Sequence, residues 1–133
     1  MTTRADIVAE ARKYLGTRWL HQGRASNGMD CLGLCLCVAH NLKLSDFEST
    51  DYGRIPLGDK MRAVMDEHMD RVVLYQPGDV LLMRFETDPQ HLAIVTDYGM
   101  IHAYAQARKV VEHVLSDTWK SRIVAAYSFR GLE

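Results

Sequence analysis

The segment from Cys31 to Leu42, CLGLCLCVAHNL, constrains the fold more than any other stretch of this chain. Leu32, Leu34, Cys35, Leu36, Val38 and Ala39 leave almost no polar side to turn towards water, so the segment is interior in any conformation. Its length and its scarcity of β-branched residues predict a buried helix rather than a buried strand. Asp30 stands at the N-cap position and Cys31 follows in the first turn. A helix that is apolar nearly all round must be covered on several sides, and the rest of the chain has to supply that cover.

The flanking segments show where the cover comes from. Ile7, Val8, Ala11, Tyr14 and Leu15 recur at helical spacing, with Thr3 as N-cap, Asp6 three positions on and Gly16 as the stop. Residues 16–30 carry glycines at 16, 23 and 28 and few periodic apolar residues, which predicts a structured loop. After a polar, turn-rich stretch (LSDFESTDYGRIP), Met61, Val64, Met65 and Met69 predict an amphipathic helix over 59–69. The pattern then changes. Pro77-Gly78-Asp79 opens a strand over 80–85, and strands over 91–96 and 100–105 flank a tight turn at Asp97-Tyr98-Gly99. Two more strands are predicted over 110–114 and 122–129. Helices followed by an antiparallel meander make an α+β fold, and 133 residues fit a single domain, 1–133.

Composition narrows the function. With 47% apolar and 25% charged residues the chain has the balance of an ordinary globule rather than a disordered segment. Sixteen Lys and Arg against 17 Asp and Glu give a net charge of −1, which provides no general basic field for nucleic acid. No window approaches the roughly 18–20 apolar residues of a membrane span, so no membrane insertion is expected. The amino terminus mixes charged and apolar residues without an unbroken apolar run, which predicts no signal peptide and synthesis in the cytoplasm. Three clustered cysteines are a poor disulfide framework and fit a reducing compartment.

A thiol in the first turn of a helix meets the positive end of the helix dipole and unpaired N–H groups, and both favour thiolate. A neighbouring imidazolium lowers the thiol pKa further, into about the 3.5–7.5 range. The same N–H groups can hold the oxyanion of a tetrahedral intermediate. Cys31 is therefore a candidate nucleophile, with an inert buried cysteine as the competing reading. Cys35 and Cys37 read as core fillers, and C-x₃-C-x-C lacks the usual zinc spacing, so no metal or other cofactor is expected. His40, His68 and His113 stand in helical or polar contexts and read as surface residues. His91 and His102 flank a short hairpin that can bring both to one end of the sheet, one as base and the other fixing its tautomer. Two satisfied strand histidines are the competing reading.

Three motifs in order then form a family resemblance. The run Y-L-G-T-R-W-L-H-Q-G-R-A-S-N-G-M-D-C-L-G-L, from Tyr14 to Leu34, resembles the YLGTPYxxGG…GxDCSGL segment of NlpC-type cysteine peptidases of bacterial cell walls. Pro77-Gly78-Asp79-Val80 resembles that family's PGDL strand start, and H-L-A-I-V-T-D-Y-G-M-I-H-A, from His91, resembles its HVGIYxG…xIHA strand pair. The resemblance implies a papain-like fold in which the nucleophile helix packs on an antiparallel sheet. It implies Cys31 as nucleophile, His91 as general base and His102 as the orienting residue. It also implies a peptidoglycan stem peptide as substrate, cut at the bond between the γ-carboxyl of D-glutamate and diaminopimelate.

The departures are specific. Trp19 replaces a Tyr whose hydroxyl lies near the oxyanion, and its indole N–H is a donor of another shape. Leu32 replaces the Ser after the nucleophile. With Asp30, the helix cap, these residues make up the expected oxyanion and substrate side of the site. His21-Gln22 replaces an aromatic-Gly pair, a variant that resembles short members encoded with phage and prophage tail genes. This implies tail-tip proteins as partners and a virion tail acting at the cell wall. Two rival expectations stand beside peptide hydrolysis: a structural tail-tip or hub component with an idle peptidase scaffold, and acyl transfer to an acceptor other than water.

Overall fold

The structure is a computed structural model that describes residues 1–25, 27–53 and 58–132. Ser26 of the loop and Arg54 to Pro56 of the polar stretch lie outside the described residues. Helix α1 (Arg4–Arg12) begins as its capping residues predict: the Asp6 N–H donates to Thr3 Oγ1 at 3.2 Å and the Thr3 N–H to Asp6 Oδ2 at 2.9 Å. It ends a turn before Gly16. That glycine instead takes a left-handed φ of +85° and donates its N–H to the Val110 carbonyl at 3.0 Å, so Leu15 is turned outward.

Within the loop that follows, β1 (Arg24–Ala25) and β2 (Gly28–Met29) form a two-stranded ribbon. Helix α2 (Cys31–Asn41) is buried at every position from Leu32 to Ala39, as its composition requires. Helix α3 (Lys60–His68) buries Met61 and Met65 beside it.

The remaining chain builds a six-stranded antiparallel sheet. Its strands are β3 (Asp70–Val72), β4 (Val80–Arg84), β5 (Pro89–Val95), β6 (Met100–Tyr104), β7 (Lys109–His113) and β8 (Ile123–Ser128), with a short helix α4 (Asp117–Lys120) before the last. The spatial order is β3-β8-β4-β5-β6-β7. Strands β4 to β7 are the predicted meander, but β8 is not its fifth member. It crosses back to the far side of β4, pairing Leu81 with Ala126 and Leu82 with Ala125, and then pairs with β3. No local pattern announces that return, and β3 itself has only three residues.

Both faces of the sheet are covered. Val80, Leu82, Leu92, Ile94, Ile101 and Ala103 join the core that contains α2. Leu81, Met83, Ala93, Val95, Met100 and Ala126 form a second cluster, beneath Tyr75, Leu115 and Trp119. This explains why β4 and β5 read as unbroken apolar runs instead of the alternation of a sheet with one wet face.

Candidate active site

The site lies at the end of the sheet opposite the Asp97–Gly99 turn. Close to that turn β5 and β6 pair through Ile94–Ile101 and Val95–Met100, and the ladder goes no further. Past Ile94 the backbone N–H of Leu92 faces the Cys31 thiol instead of a neighbouring strand. A cavity of about 400 Å³ opens there. Cys31 and His91 both line it, with walls from Trp19, Tyr52, Met61, Phe85 and Tyr104 and polar groups from Glu86, Gln90 and Gln106.

The local sequence explains how Cys31 is presented. Asp30 is buried and its two oxygens serve several donors: Oδ1 accepts from the Gly33 N–H at 2.8 Å, and Oδ2 from the Gln22 N–H and the Tyr52 hydroxyl, both at 2.8 Å. Asp30 thus caps α2 and pins two loops beside Cys31. Gln22 holds a left-handed φ of +59°, the conformation for which the glycine of the resembling motif is suited. Its side-chain amide donates to the carbonyls of Thr50 and Tyr52 at 2.6 and 2.9 Å, and so brings Tyr52 to Asp30. Gly33 is required where α2 meets the loop, because a Cβ there would stand 2.1 Å from the Gly23 carbonyl oxygen.

His91 is one of a row of three. Its Nε2 lies 2.6 Å from His102 Nδ1, His102 Nε2 lies 2.8 Å from His113 Nε2, and His113 Nδ1 lies 2.9 Å from the Val114 carbonyl. Strand alternation puts His91 on the face of Ala93 and Val95, and His102 on that of Met100. The β6–β7 register sets His113 opposite Met100 on the same face. Trp119 of α4 covers the row, its ring 5.0 Å from His102, 5.3 Å from His113 and 6.5 Å from His91. The Arg122 guanidinium stacks on Trp119, 4.6 Å from the ring centre.

Burial controls ionisation here. Cys31 is partly exposed at the cavity floor, yet protein crowds its sulfur, and burial with the nearby Asp30 carboxylate pushes the thiol up to about 12. The N–H groups of Leu92, Leu32 and Cys31 act in the opposite direction and do not overcome it. His91 is pushed down to about 3 by burial and the Arg122 charge, and His102 to about 2 by burial and its two histidine neighbours. Desolvation thus outweighs the helix dipole at Cys31, the opposite direction from the lowered thiol expected from the sequence, and it also disfavours the charged forms of His91 and His102.

The other sequence expectations divide. Trp19 and Asp30 line the cavity with Cys31. Leu32 does not. It is buried in the core and turns towards α3, where it borders a small cavity of about 90 Å³ with Met61 and Val64. A helix rotates about 100° per residue, so the position after Cys31 need not share its outlook. Cys35 and Cys37 are buried, and the Cys37 thiol donates to the Arg24 carbonyl at 2.9 Å. His40 and His68 are half-buried rather than surface residues, one bonded to the Phe47 carbonyl and the other stacked on the Phe47 ring. His113 is likewise no plain surface residue, since it continues the row. Tyr52, Trp119 and His113 are the site residues that sequence reasoning missed. For His113 the signal is its place in β7, which becomes informative only with the hairpin register. Among the described residues no group of three His, Cys, Asp or Glu side chains is arranged to hold a metal ion.

Comparison with known proteins agrees with this architecture. The NlpC/P60 family model matches residues 16–128. No curated protein sequence matches the chain. Among solved structures, the NlpC/p60 domain of the peptidoglycan hydrolase SagA is similar, with 26% identity and a TM-score of 0.67 over 96% of this chain and 99% of that one. An NlpC/P60 family protein from Bacillus cereus superposes with a TM-score of 0.74 at 18% identity, covering 96% of this chain and 40% of its own. NlpC1 from Trichomonas vaginalis does so with a TM-score of 0.73 at 16% identity, covering 97% of this chain and 45% of its own. The present chain thus spans less than half the length of these last two, whose likeness is one of fold. From its motifs, its helix-on-sheet architecture and the extent of the family match, the chain belongs to the NlpC/P60 family.

Proposed function

We propose that the chain is a cysteine peptidase that hydrolyses peptidoglycan stem peptides at the γ-D-glutamyl–diaminopimelate bond, and that a phage tail carries it to the cell wall. The observation that most supports the peptidase reading is the cavity shared by Cys31, at the capped start of α2, and His91, whose Nε2 is held by His102. With Nε2 engaged, Nδ1 is the ring nitrogen that takes the thiol proton. Cys31 sulfur attacks the stem-peptide carbonyl carbon as that proton passes to His91. Backbone N–H groups at the start of α2, with Trp19 alongside, stabilise the oxyanion. The tetrahedral intermediate collapses to a thioester as His91 returns the proton to the leaving amine. His91 then deprotonates a water, which cleaves the thioester and restores the thiol.

The cavity suits a short, polar peptide: aromatic walls at Trp19, Tyr52 and Tyr104, and the Glu86 carboxylate with Gln90 and Gln106 at the rim. Glu86 is exposed and complements the ammonium of a diamino acid. The His21-Gln22 variant, similar to that of tail-encoded members, supports the tail role.

Mass spectrometry of products from purified peptidoglycan tests the reading. Wild type is expected to release fragments cut at the γ-D-glutamyl bond with water added, and Cys31→Ala to release none while keeping its circular dichroism spectrum. Equal cleavage by the alanine variant would reject the assignment. Products carrying an acceptor other than water would replace hydrolysis by transfer. The tail role is tested separately, by looking for the chain among the proteins of purified virions.

A further inference from the structure

The row of imidazoles does not end at His102. His113 Nε2 faces His102 Nε2 at 2.8 Å, and His113 Nδ1 faces the Val114 carbonyl oxygen at 2.9 Å. That last contact is asymmetric in a useful way. A carbonyl oxygen only accepts, whereas each nitrogen of a neutral imidazole either donates or accepts, according to the tautomer.

Starting from the carbonyl, every proton in the row is assigned. His113 must carry its hydrogen on Nδ1 to donate to Val114, which leaves Nε2 as a lone pair. His102 must then donate from Nε2, which leaves its Nδ1 as a lone pair facing His91 Nε2 at 2.6 Å. His91 in turn donates from Nε2. Its own lone pair is thereby fixed on Nδ1, the nitrogen required to take the proton of Cys31. A donor in place of the His113 lone pair would reverse all of these bonds and leave His91 with a hydrogen on Nδ1, unable to act as base.

We propose that His113, anchored on the Val114 carbonyl, is a positioning residue that sets the tautomer of His102 and through it that of His91. The proposal rests on the peptidase reading for its effect on turnover, but the tautomers themselves do not depend on it. The surroundings favour a defined row. His102 is fully buried beneath Trp119, which limits the access of water to its nitrogens, while His113 under the same ring is half-buried and its Val114 contact lies at the surface. The strand register holds the geometry: His102 pairs with Val111 and Met100 with His113, so the two imidazoles are diagonal neighbours on one face. The backbone at the end of β7 is pinned as well, since a Cβ on Gly99 would stand 2.1 Å from the His113 carbonyl oxygen. Only a residue without a side chain lets the β5–β6 turn close against this strand end.

The test compares His113→Phe, which keeps an aromatic ring beneath Trp119 but removes the acceptor, with His113→Gln, whose amide oxygen can replace Nε2. Two readouts are taken on folded protein, checked by thermal melts. Imidazole ¹⁵N chemical shifts report the His91 tautomer without any substrate. They are expected to show hydrogen on Nε2 in wild type and His113→Gln, and a mixture with the Nδ1–H form in His113→Phe. Steady-state cleavage of a defined stem tripeptide is expected to lose on the order of tenfold to a hundredfold in kcat in His113→Phe. KM should change little, and His113→Gln should recover most of the rate. A wild-type His91 with hydrogen on Nδ1, or tautomers unchanged in His113→Phe, would overturn the proposal. Unchanged kcat in His113→Phe would do the same, provided Cys31→Ala is inactive. If Cys31→Ala is as active as wild type, the peptidase reading falls instead, and the nitrogen shifts alone decide the relay.

Discussion

His91 and His102 sit where burial disfavours their charged forms, and this makes the molecule acid-sensitive in a defined window. Both have pKa values far below the ordinary imidazole value of 6.5, at about 3 and about 2. A histidine whose folded pKa is depressed binds its proton in the unfolded chain first, so its stabilising effect is complete above pH 6.5 and is lost as pH falls towards the folded value. Each such group contributes a slope of up to about 1.4 kcal/mol per pH unit in that window. Urea denaturation at a series of pH values should show stability falling from near pH 6.5 downward, and His102→Gln should flatten the slope. Cys31 has the opposite sign: with its thiol pushed up to about 12, stability should decline from about pH 9 upward, as the unfolded thiol loses its proton first. A flat profile between pH 4 and 6.5 would contradict the neutral, buried row. The candidate nucleophile and both predicted histidines were legible at this scale because their signals are short: a cap before a cysteine, and two histidines either side of a tight turn. Their ionisation was not, because it depends on burial and on groups brought in from Leu92, Arg122 and His113.

Helix α2 is the element on which the site hangs, and its first turn tolerates little change. Asp30→Ala would remove the cap on the Gly33 N–H together with the acceptor for Gln22 and Tyr52. Loss of a cap alone costs about 1 kcal/mol, and each buried donor left without a partner costs about 1–3 kcal/mol. The expected destabilisation is several kcal/mol, with Tyr52→Phe losing much less because only one hydroxyl is removed. Gly33→Ala is the sharper test. Alanine is the better helix former by about 1 kcal/mol, yet its Cβ would stand 2.1 Å from the Gly23 carbonyl and 3.0 Å from Asp30 Oδ1. Overpacking should prevail, giving a net loss of about 1–3 kcal/mol by chemical denaturation, and a stabilised variant would refute the close approach. The extent of α2 follows from its composition and its cap. The strand β3 and the return of β8 do not, because three exposed or half-exposed residues carry no period and a pairing partner some fifty positions away leaves no local mark.

Across the whole molecule, ion pairs at both ends of α1 fasten it to the sheet side: Arg4 with the buried Asp79, and Arg12 with Glu112 of β7. Asp79, at the turn that opens β4, is fully buried, pairs with Arg4 and accepts from the Gln76 N–H at 2.9 Å. Asp79→Ala would remove the partner of the partly exposed Arg4 guanidinium and the acceptor of the turn N–H, and should cost about 1–3 kcal/mol in thermal or chemical denaturation. An effect below about 1 kcal/mol would mean that the pair does not join helix to sheet. What the sequence by itself determined is local and periodic: helices α1 to α3 with the caps Thr3 and Asp30, the turns, four meander strands, and the candidate residues Cys31, His91 and His102. Such features are set by neighbours a few positions apart, so a linear string carries them. What only the tertiary structure decided is register and environment. Closure of the β6–β7 hairpin puts His113 beside His102, rotation of α2 sends Leu32 towards α3 and away from the cavity, and crowding holds the Cys31 thiol neutral. These depend on which distant groups share a face or a dielectric, and that is settled only when the chain has closed on itself.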